Sequence, residues 1–447
     1  MPDHVKAKKA RRRMRRFAIG VDVGGGVARV VVLSAPTVSP EGGSNYVTVD
    51  DCSDLAAPKA GYGKVRRPRS NGRAGEVSQS AGTADDSTVP VIDAAETQAS
   101  LRDVGGRYWS EGLRLEGIGC AGVPPHAVSH TEWLDAGAVS GAISSALHGA
   151  LGDPREATRG WRQARNLAGL AVPADVAMVR DVEANDLWRP RVNGASHTGA
   201  RWSYSTLQPL LQSHAERITG THRSELALDW MAPASIAPRR LTFATVCRHH
   251  VDARVDAANA AGLMPAIVED EPGAALRACR FIAEAPDGPR LSGGRPYAAL
   301  WLDGRSAHLW FLREGQPGTR AFVLSTHGVP EALEAALYER RAGRTFAQAI
   351  VAIRNDPPLP AEPRHFATAA APGADPCVPG GLMLDDERGI ARALTAIERG
   401  LGCCPVLFDA RDMLAGSLIS ATPVSTAEAR KSAVAFGLAL RALVPAP

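Results

Sequence analysis

Residues 17–34 read FAIGVDVGGGVARVVVLS, a β-branched run, three consecutive glycines and a second β-branched run. This pattern predicts a β-hairpin with a glycine-rich turn. Because they lack Cβ atoms, Gly24, Gly25 and Gly26 let backbone N–H groups come close to phosphate oxygens, and the neighbouring carboxylate of Asp22 can hold a magnesium ion. The hairpin therefore predicts a phosphate-binding turn, with Asp22 as the Mg²⁺ ligand through a bound nucleotide.

A similar unit occurs in the second half of the chain. Residues 295–311 read RPYAALWLDGRSAHLWF and predict a second hairpin with Asp303 and Gly304 at its turn. Two such turns facing each other across a cleft would hold one nucleotide, and Gly380 and Gly381, which precede a predicted helix, would pass beside its adenosine. A glycine turn alone is equally typical of a hairpin that only packs, and it is the order of the three signals that favours a nucleotide site.

Composition places the chain among folded proteins without a membrane span. Its 447 residues suffice for two or three domains, and 45% are hydrophobic while the net charge is only +4. No apolar run approaches the roughly 18 residues of a transmembrane helix, and the basic start lacks the apolar core of a secretory signal, so a cytoplasmic location is expected. The seven cysteines are scattered without a C-x-x-C pair, which indicates neither a disulfide framework nor a zinc site. His249-His250 has no partner at metal-ligand spacing.

Two stretches stand apart from the alternating hairpins and helices. Lys6–Arg16 carries eight Lys or Arg residues and predicts a solvated, mobile arm, with contact to an anionic lipid surface or to nucleic acid as the alternative. Residues from about 35 to 106 are rich in Ser, Gly, Pro, Asp and Thr and predict a mobile insertion. Outside these two stretches, the principal helices are predicted at 138–151 after Asp135, 251–262, 272–283, 329–353, 385–400 and 426–443.

Four stretches resemble the PilM family of type IV pilus assembly proteins, within the actin-like ATPase superfamily. They are the first hairpin, VDARVDAANAAGLMPAIVEDEPGAALRA at 251–278, YAALWLDGRSAHLWFLREG at 297–315 and SAVAFGLALRAL at 432–443. The second and fourth resemble stretches that are fairly specific to this family, whereas both hairpins are shared by the whole superfamily. Weaker resemblances extend over most of the chain outside the arm and the insertion.

The resemblance implies an α/β, actin-like (ribonuclease H-like) two-lobed fold with a small inserted α+β subdomain, similar to the cell-division protein FtsA. The implied parts are a basic arm (1–16), a first lobe (17–172) that carries the 35–106 insertion, an inserted small subdomain (173–262), a second lobe (263–425) and a C-terminal helix (426–447) that returns to the first lobe.

For the site, the resemblance implies ATP with Mg²⁺ between the two lobes. Its ligands would be Asp22, Gly24, Gly25, Gly26, Asp303, Gly304, Gly380 and Gly381. Three features depart from the family pattern. Gly25 and Gly26 stand where hydroxyl residues often follow the first glycine, Arg29 stands where lysine is common, and the acidic run Glu269-Asp270-Glu271 leaves open which carboxylate faces the nucleotide. No residue marks a catalytic base, so nucleotide binding is expected with weak or absent hydrolysis.

As for partners, the resemblance implies docking on the cytoplasmic N-terminal tail of a PilN-like inner-membrane protein, with a PilO-like protein as an indirect partner. The tail would bind in a groove between the first lobe and the small subdomain, and the chain would be peripheral to the inner membrane. Self-association is a further prediction, and nucleic acid is not an expected partner.

Alternatives remain open at this point. The same superfamily includes sugar and acyl kinases, which need a catalytic carboxylate beside a substrate pocket. The chain also fits a degenerate adaptor that binds no nucleotide and serves a pilus, twitching, DNA-uptake or type II secretion platform. The C-terminal helix places Ala433, Phe436, Leu440 and Leu443 on one face, and this face is predicted to pack into the core.

Overall fold

Two five-stranded sheets form the framework of the chain, for which we analysed a computed structural model. It describes residues 15–36, 113–129, 131–152, 167–183, 187, 204–231, 240–284, 292–303, 306–313, 319–325, 330–354, 384, 387–411 and 425–443. All of them belong to one compact unit, made of Met1–Pro36 and Ala94–Pro447. The predicted basic arm lies outside the described residues except for Arg15 and Arg16, and the 35–106 insertion except for Ala35 and Pro36.

The described strands are β1 (Arg15–Gly24), β2 (Val27–Pro36), β3 (Arg114–Gly122), β4 (Leu167–Val172), β5 (Met178–Glu183), β6 (Leu226–Met231), β7 (Arg240–Cys247), β8 (Met264–Asp270), β9 (Tyr297–Leu302), β10 (Ser306–Leu312), β11 (Thr319–Ser325), β12 (Ala349–Ile353) and β13 (Pro405–Leu407). The described α-helices are α1 (Ala136–Leu151), α2 (Tyr204–Thr219), α3 (Arg248–Ala260), α4 (Glu271–Glu284), α5 (Pro330–Arg341), α6 (Glu387–Leu401), α7 (Thr426–Arg430) and α8 (Ala433–Leu443).

The two large sheets repeat one topology. The first has the strand order β3-β2-β1-β4-β8 and the second has β11-β10-β9-β12-β13. In each sheet the first three strands in sequence are antiparallel neighbours, and the two strands added after them run parallel to the first. The chain is therefore an α/β protein that contains the same unit twice. A small antiparallel sheet, β5-β7-β6, is inserted between β4 and β8.

Both predicted hairpins are present. The β1–β2 turn consists of Gly25 and Gly26, which have φ values of 57° and 77°, so both lie in the left-handed region that side chains disfavour. Asp22 pairs in register with Arg29 on β2. The second hairpin joins β9 to β10 in the same antiparallel manner.

The side chains of β1 point alternately to the two faces of the first sheet, which we call inner and outer. Ile19, Val21 and Val23 pack with helices α1 and α3 on the outer face of the first sheet. Ala18 belongs instead to a core on the inner face. Because side chains alternate along a strand, the carboxylate of Asp22 also emerges on the inner face, toward the second sheet.

The helix predicted at 329–353 was wrong in its second half. Helix α5 ends at Arg341, and the left-handed φ values of Ala342 (45°) and Gly343 (76°) turn the chain away from the helix. The following AIVAI run forms β12, a wholly buried strand parallel to β9. A buried parallel strand is apolar on both faces, so its periodicity does not distinguish it from a buried helix.

Helices α4 and α8 lie in a core that both large sheets share. This core contains residues of β1, β2 and β3 from the first sheet and of β9, β10 and β12 from the second. The outer face of the second sheet packs with α5 and α6, and the small sheet packs with α2. Ala257 and Ala258 of α3, in the range predicted for the small subdomain, pack with the first sheet. None of the described helices has the length and hydropathy needed to cross a bilayer.

The burial of α4 in the shared core leads to a prediction about the reactivity of two cysteine thiols. Cys279 of α4 is fully buried, and burial raises the pKa of its thiol to about 12, whereas Cys404 beside β13 is exposed. We expect iodoacetamide to modify Cys404 in the native protein and to modify Cys279 at least roughly 100-fold more slowly, because the thiolate is the reactive form. Peptide mass spectrometry at successive times measures both rates. Labelling in denaturant is the control, and equal native rates would contradict the placement of α4 in the core.

Candidate functional site

The inner face of the first sheet carries a buried carboxylate at the end of β1. Asp22 has no exposed surface, and the Oδ2 atom of its carboxylate lies 3.7 Å from Nη1 of Arg29. Arg29 is 3% exposed and belongs to the antiparallel neighbour β2. The register of the hairpin therefore places this cation beside Asp22.

A second arginine reaches the same carboxylate from the other sheet. Arg354 directly follows β12, and its backbone N–H donates to the carbonyl oxygen of Leu302 at 2.7 Å. Ile350 and Ala352 belong to the shared core, so alternation places Arg354 on the same inner face. Its Nη2 atom lies 3.2 Å from Oδ1 of Asp22, and its side chain is only 7% exposed.

The acidic run after β8 supplies the remaining member of this group. Glu271, which begins α4 and is 3% exposed, forms an ion pair with Nη1 of Arg354. Its two acidic neighbours have other roles. Glu269 accepts two hydrogen bonds from Arg277, at 2.5 and 2.7 Å, and Asp270 accepts the N–H of Gly273 in the first turn of α4. Of the three acidic residues, Glu271 is therefore the one that contacts the second sheet, through Arg354. Which carboxylate would face a nucleotide stays a prediction.

We name Asp22, Arg29, Glu271 and Arg354 the interlobe cluster. Arg354 also lies directly against the first hairpin: a Cβ atom built on Gly24 would lie 1.4 Å from its Nη2 atom. The glycine is therefore needed at this position to let the guanidinium approach the backbone of the strand. In the predicted nucleotide site, the same space would admit a phosphate.

A third arginine lies near the cluster. Arg254 of α3 is 1% exposed and donates from Nε to the carbonyl oxygen of Ala171 at 2.7 Å. The pKa of Arg254 is lowered to about 10, chiefly by burial; Glu271 and Asp22 act to raise it and the charge of Arg354 acts to lower it. Even at that value Arg254 is protonated at neutral pH. It adds positive charge to the field around the two carboxylates.

The predicted site residues are only partly described. Asp22, Gly24, Gly25 and Gly26 lie together on the first hairpin, whereas Gly304, Gly380 and Gly381 fall outside the described residues. Asp303 accepts hydrogen bonds from the N–H and the hydroxyl of Ser306, at 2.5 and 2.7 Å. Its carboxylate therefore stabilises the turn of its own hairpin.

The cluster does not fit a magnesium ion at Asp22. Mg²⁺ takes oxygen ligands at about 2.1 Å, so an ion on Oδ1 of Asp22 would lie within about 5 Å of Nη2 of Arg354. At an effective dielectric constant of about 20, the repulsion between these charges is roughly 6 kcal/mol. In this arrangement Asp22 is a partner of two arginines, and Asp22 as a metal ligand stays a prediction that these contacts disfavour.

One group has the composition of a metal site. The expectation that His249-His250 has no partner at metal spacing was wrong, because Glu132 supplies a carboxylate oxygen and the three ligand atoms lie within 4.8 Å of one another. Glu132 and His249 are exposed, and Oε1 of Glu132 lies 3.8 Å from Nε2 of His249. Burial lowers the pKa of His250, and the charges of His249 and Arg254 lower it further. Because Arg254 also donates to the backbone oxygen of His250 at 2.8 Å, we interpret the group as a surface ion pair beside a cation.

Sequence reasoning missed Arg354, and the reason is local. Arg354 follows the range 329–353, for which the sequence pattern predicts a helix. A helix at this position gives no indication of the sheet face on which Arg354 lies. The usable signal was the five-residue apolar run 349–353 after Gly343, which is as typical of a buried strand as of a helix. Read as a strand, it places an arginine at the carboxyl end of a parallel strand, where α/β sheets gather their functional groups.

Comparison with known proteins identifies the fold. No family model matches the sequence, and no curated protein is similar to it in sequence. Among solved structures, the PilM-PilN type IV pilus biogenesis complex matches with a TM-score of 0.51 and 14% identity, over 96% of this chain and 99% of the matched chain. The cytoplasmic domain of EpsL, an inner-membrane component of the type II secretion system of Vibrio cholerae, matches with a TM-score of 0.32 and 8% identity, over 75% of this chain and 82% of the other.

The ethanolamine utilization protein EutJ from Carboxydothermus hydrogenoformans matches with a TM-score of 0.34 and 10% identity, over 95% of this chain and 89% of the other. The likenesses to EpsL and EutJ are weaker than the first. The resemblance to PilM that the sequence motifs indicated is confirmed at the level of the fold. The chain therefore has the actin-like α/β fold, in which PilM is a structural neighbour over nearly its whole length.

Proposed function

We propose that this protein is an actin-like scaffold that binds the cytoplasmic tail of a PilN-like inner-membrane protein in a pilus-type assembly machine. The observation that carries the proposal is the match to the PilM-PilN complex over 96% of this chain and 99% of the other. A match of this extent includes the lobes and the inserted small sheet together. The protein would then act at the cytoplasmic face of the inner membrane, held there by its partner.

The buried carboxylates favour a scaffold over a small-molecule kinase. Asp22 and Glu271 are both ion-paired with Arg354, and an arginine partner stabilises the ionised form of a carboxylate and weakens it as a base. Asp303 is engaged in its own turn. A kinase needs a carboxylate that can accept the proton of a substrate hydroxyl, and these three carboxylates have other partners.

A nucleotide bound between the lobes would also be able to gate the docking. Such gating requires the nucleotide to bind two arrangements of the lobes with different affinities. This part of the hypothesis stays a prediction, and the interlobe cluster argues against it. The indirect PilO-like partner and self-association also stay predictions.

A peptide titration tests the proposed docking. We expect the full chain to bind a synthetic peptide that copies the cytoplasmic tail of the PilN-like protein from the same organism, and not to bind a scrambled peptide, in isothermal titration calorimetry. If the tail peptide gives no heat and no stabilisation in a thermal shift assay, the proposed function is wrong.

Two exposed hydrophobic residues allow the position of the proposed groove to be tested. Leu134 is 61% exposed and lies on the loop whose Glu132 meets His249 at the start of α3, whereas Tyr338 of α5 is 71% exposed on the second lobe. We expect Leu134→Asp to weaken peptide binding by roughly tenfold or more and Tyr338→Asp to leave it unchanged. The reverse order would contradict a groove beside the first lobe while leaving the docking itself in place.

A further inference from the structure

The interlobe cluster joins the two halves of the molecule through one side chain. Arg354 extends from the second sheet, and its two terminal nitrogens contact two different carboxylates, Asp22 on β1 and Glu271 at the start of α4. All three side chains are at least nine-tenths buried. A buried charge is costly unless it is paired and hydrogen-bonded, so each of these groups depends on the others.

The charges in the cluster already balance. Asp22 and Glu271 contribute two negative charges, and Arg29 and Arg354 contribute two positive charges. Arg254 adds a further positive charge at longer range. A nucleotide-binding cleft with Mg²⁺ needs carboxylates whose charge is left for the metal. Here that charge is matched by arginines of the chain itself.

Arg354 also occupies the space that a phosphate would need at the first hairpin. The guanidinium of Arg354 lies against the backbone of Gly24, where a Cβ atom would come within 1.4 Å of Nη2. A phosphate that approached this strand end would have to displace the guanidinium and leave Asp22 and Glu271 buried without that partner. Binding of either a metal ion or a phosphate at this position is therefore unfavourable.

We propose that Arg354 replaces Mg·nucleotide in this protein: the guanidinium links the first hairpin to the second sheet and holds the two lobes together without a bound nucleotide. Arg354 is thus a positioning residue for the lobes. The scaffold keeps one arrangement whether or not ATP is present. Because its test contains no peptide, this role of Arg354 is independent of the proposed partner.

The first arm of the test uses the unmodified protein. We expect thermal unfolding of the full chain to be unchanged by millimolar Mg·ATP or Mg·ADP, and calorimetric titration with either nucleotide to give no binding heat. A rise in Tm with Mg·ATP that is lost in Asp22→Asn would overturn the proposal. This arm needs no variant to fold.

The second arm measures how much the contact between Arg354 and Asp22 contributes to thermal stability. We expect Arg354→Gln to lower Tm by roughly 10 °C, because a broken buried ion pair leaves an uncompensated charge. Asp22→Asn should have a smaller effect in the Arg354→Gln background than alone, because the two residues interact. Additive effects of the two substitutions would overturn the proposal.

An exposed ion pair on the same lobe is the matched control. Arg399 is 68% exposed and lies 3.8 Å from Glu334. We expect Arg399→Gln to change Tm by no more than about 1 °C and the effect of Arg354→Gln to persist in high salt, because buried pairs are screened little. If Arg354→Gln does not fold, Arg354→Lys replaces it. A single ammonium reaches one carboxylate at a time, so an intermediate loss of Tm is expected, and no loss at all would contradict the proposal.

Discussion

The Leu440→Asp variant is expected not to fold. Leu440 of α8 is 1% exposed and lies in the core shared by both sheets. The substitution removes a buried leucine side chain and introduces a carboxylate into an apolar site. Together these changes are expected to destabilise the protein by more than about 5 kcal/mol, which is comparable to the whole stability of many domains.

Two further variants make this result interpretable. Leu440→Ala removes the side chain without adding a charge and should lower the free energy of unfolding by about 2–5 kcal/mol. Leu134→Asp makes the same chemical change at a leucine that is 61% exposed, and it should stay within about 0.5 kcal/mol of the wild type. Urea unfolding followed by tryptophan fluorescence measures both, with Trp301 and Trp310 as probes in the shared core. A soluble and fully stable Leu440→Asp protein would contradict the packing of α8 between the sheets.

Alanine substitutions at two helical glycines are expected to have opposite signs. A Cβ atom on Gly437 of α8 would lie 1.9 Å from the backbone oxygen of Ala274 on α4, whereas one on Gly141 of α1 would have no atom within 4 Å. The first pair of helices is therefore in direct backbone contact, and Gly437→Ala must push the helices apart. The second glycine lies on the exposed face of its helix.

We expect Gly437→Ala to destabilise the protein by about 3 kcal/mol, because a clash with backbone cannot be relieved by moving one side chain. Gly141→Ala should stabilise it by up to about 1 kcal/mol, because alanine has the higher helix propensity. Calorimetric unfolding of both variants in one buffer gives the comparison. If both substitutions stabilise the protein, the backbones of α4 and α8 are not in direct contact.

Both hairpins and the burial of the C-terminal segment could be predicted from the sequence, but the single helix predicted at 426–443 was wrong, because a turn at Lys431 and Ser432 divides it into α7 and α8. Their signals are local: glycines at a two-residue turn, alternation of apolar residues along 17–34, and an apolar face repeated along the last helix. The Asp22–Arg29 pair also follows from local register, because the turn at Gly25 and Gly26 determines which residues of β2 face β1. The resemblance to PilM added the two-lobed arrangement, which no local pattern contains.

The role of Arg354 was decided only in the tertiary structure. Asp22 is far from it along the chain and Glu271 lies in a different element, and the three meet because β12 lies beside β9 while α4 lies between the sheets. The sequence by itself determined a carboxylate at the end of β1 and a glycine turn beside it. Only the tertiary structure supplied Arg354, the second cation that meets this carboxylate, because an ion pair between distant residues depends on which strand faces are brought together.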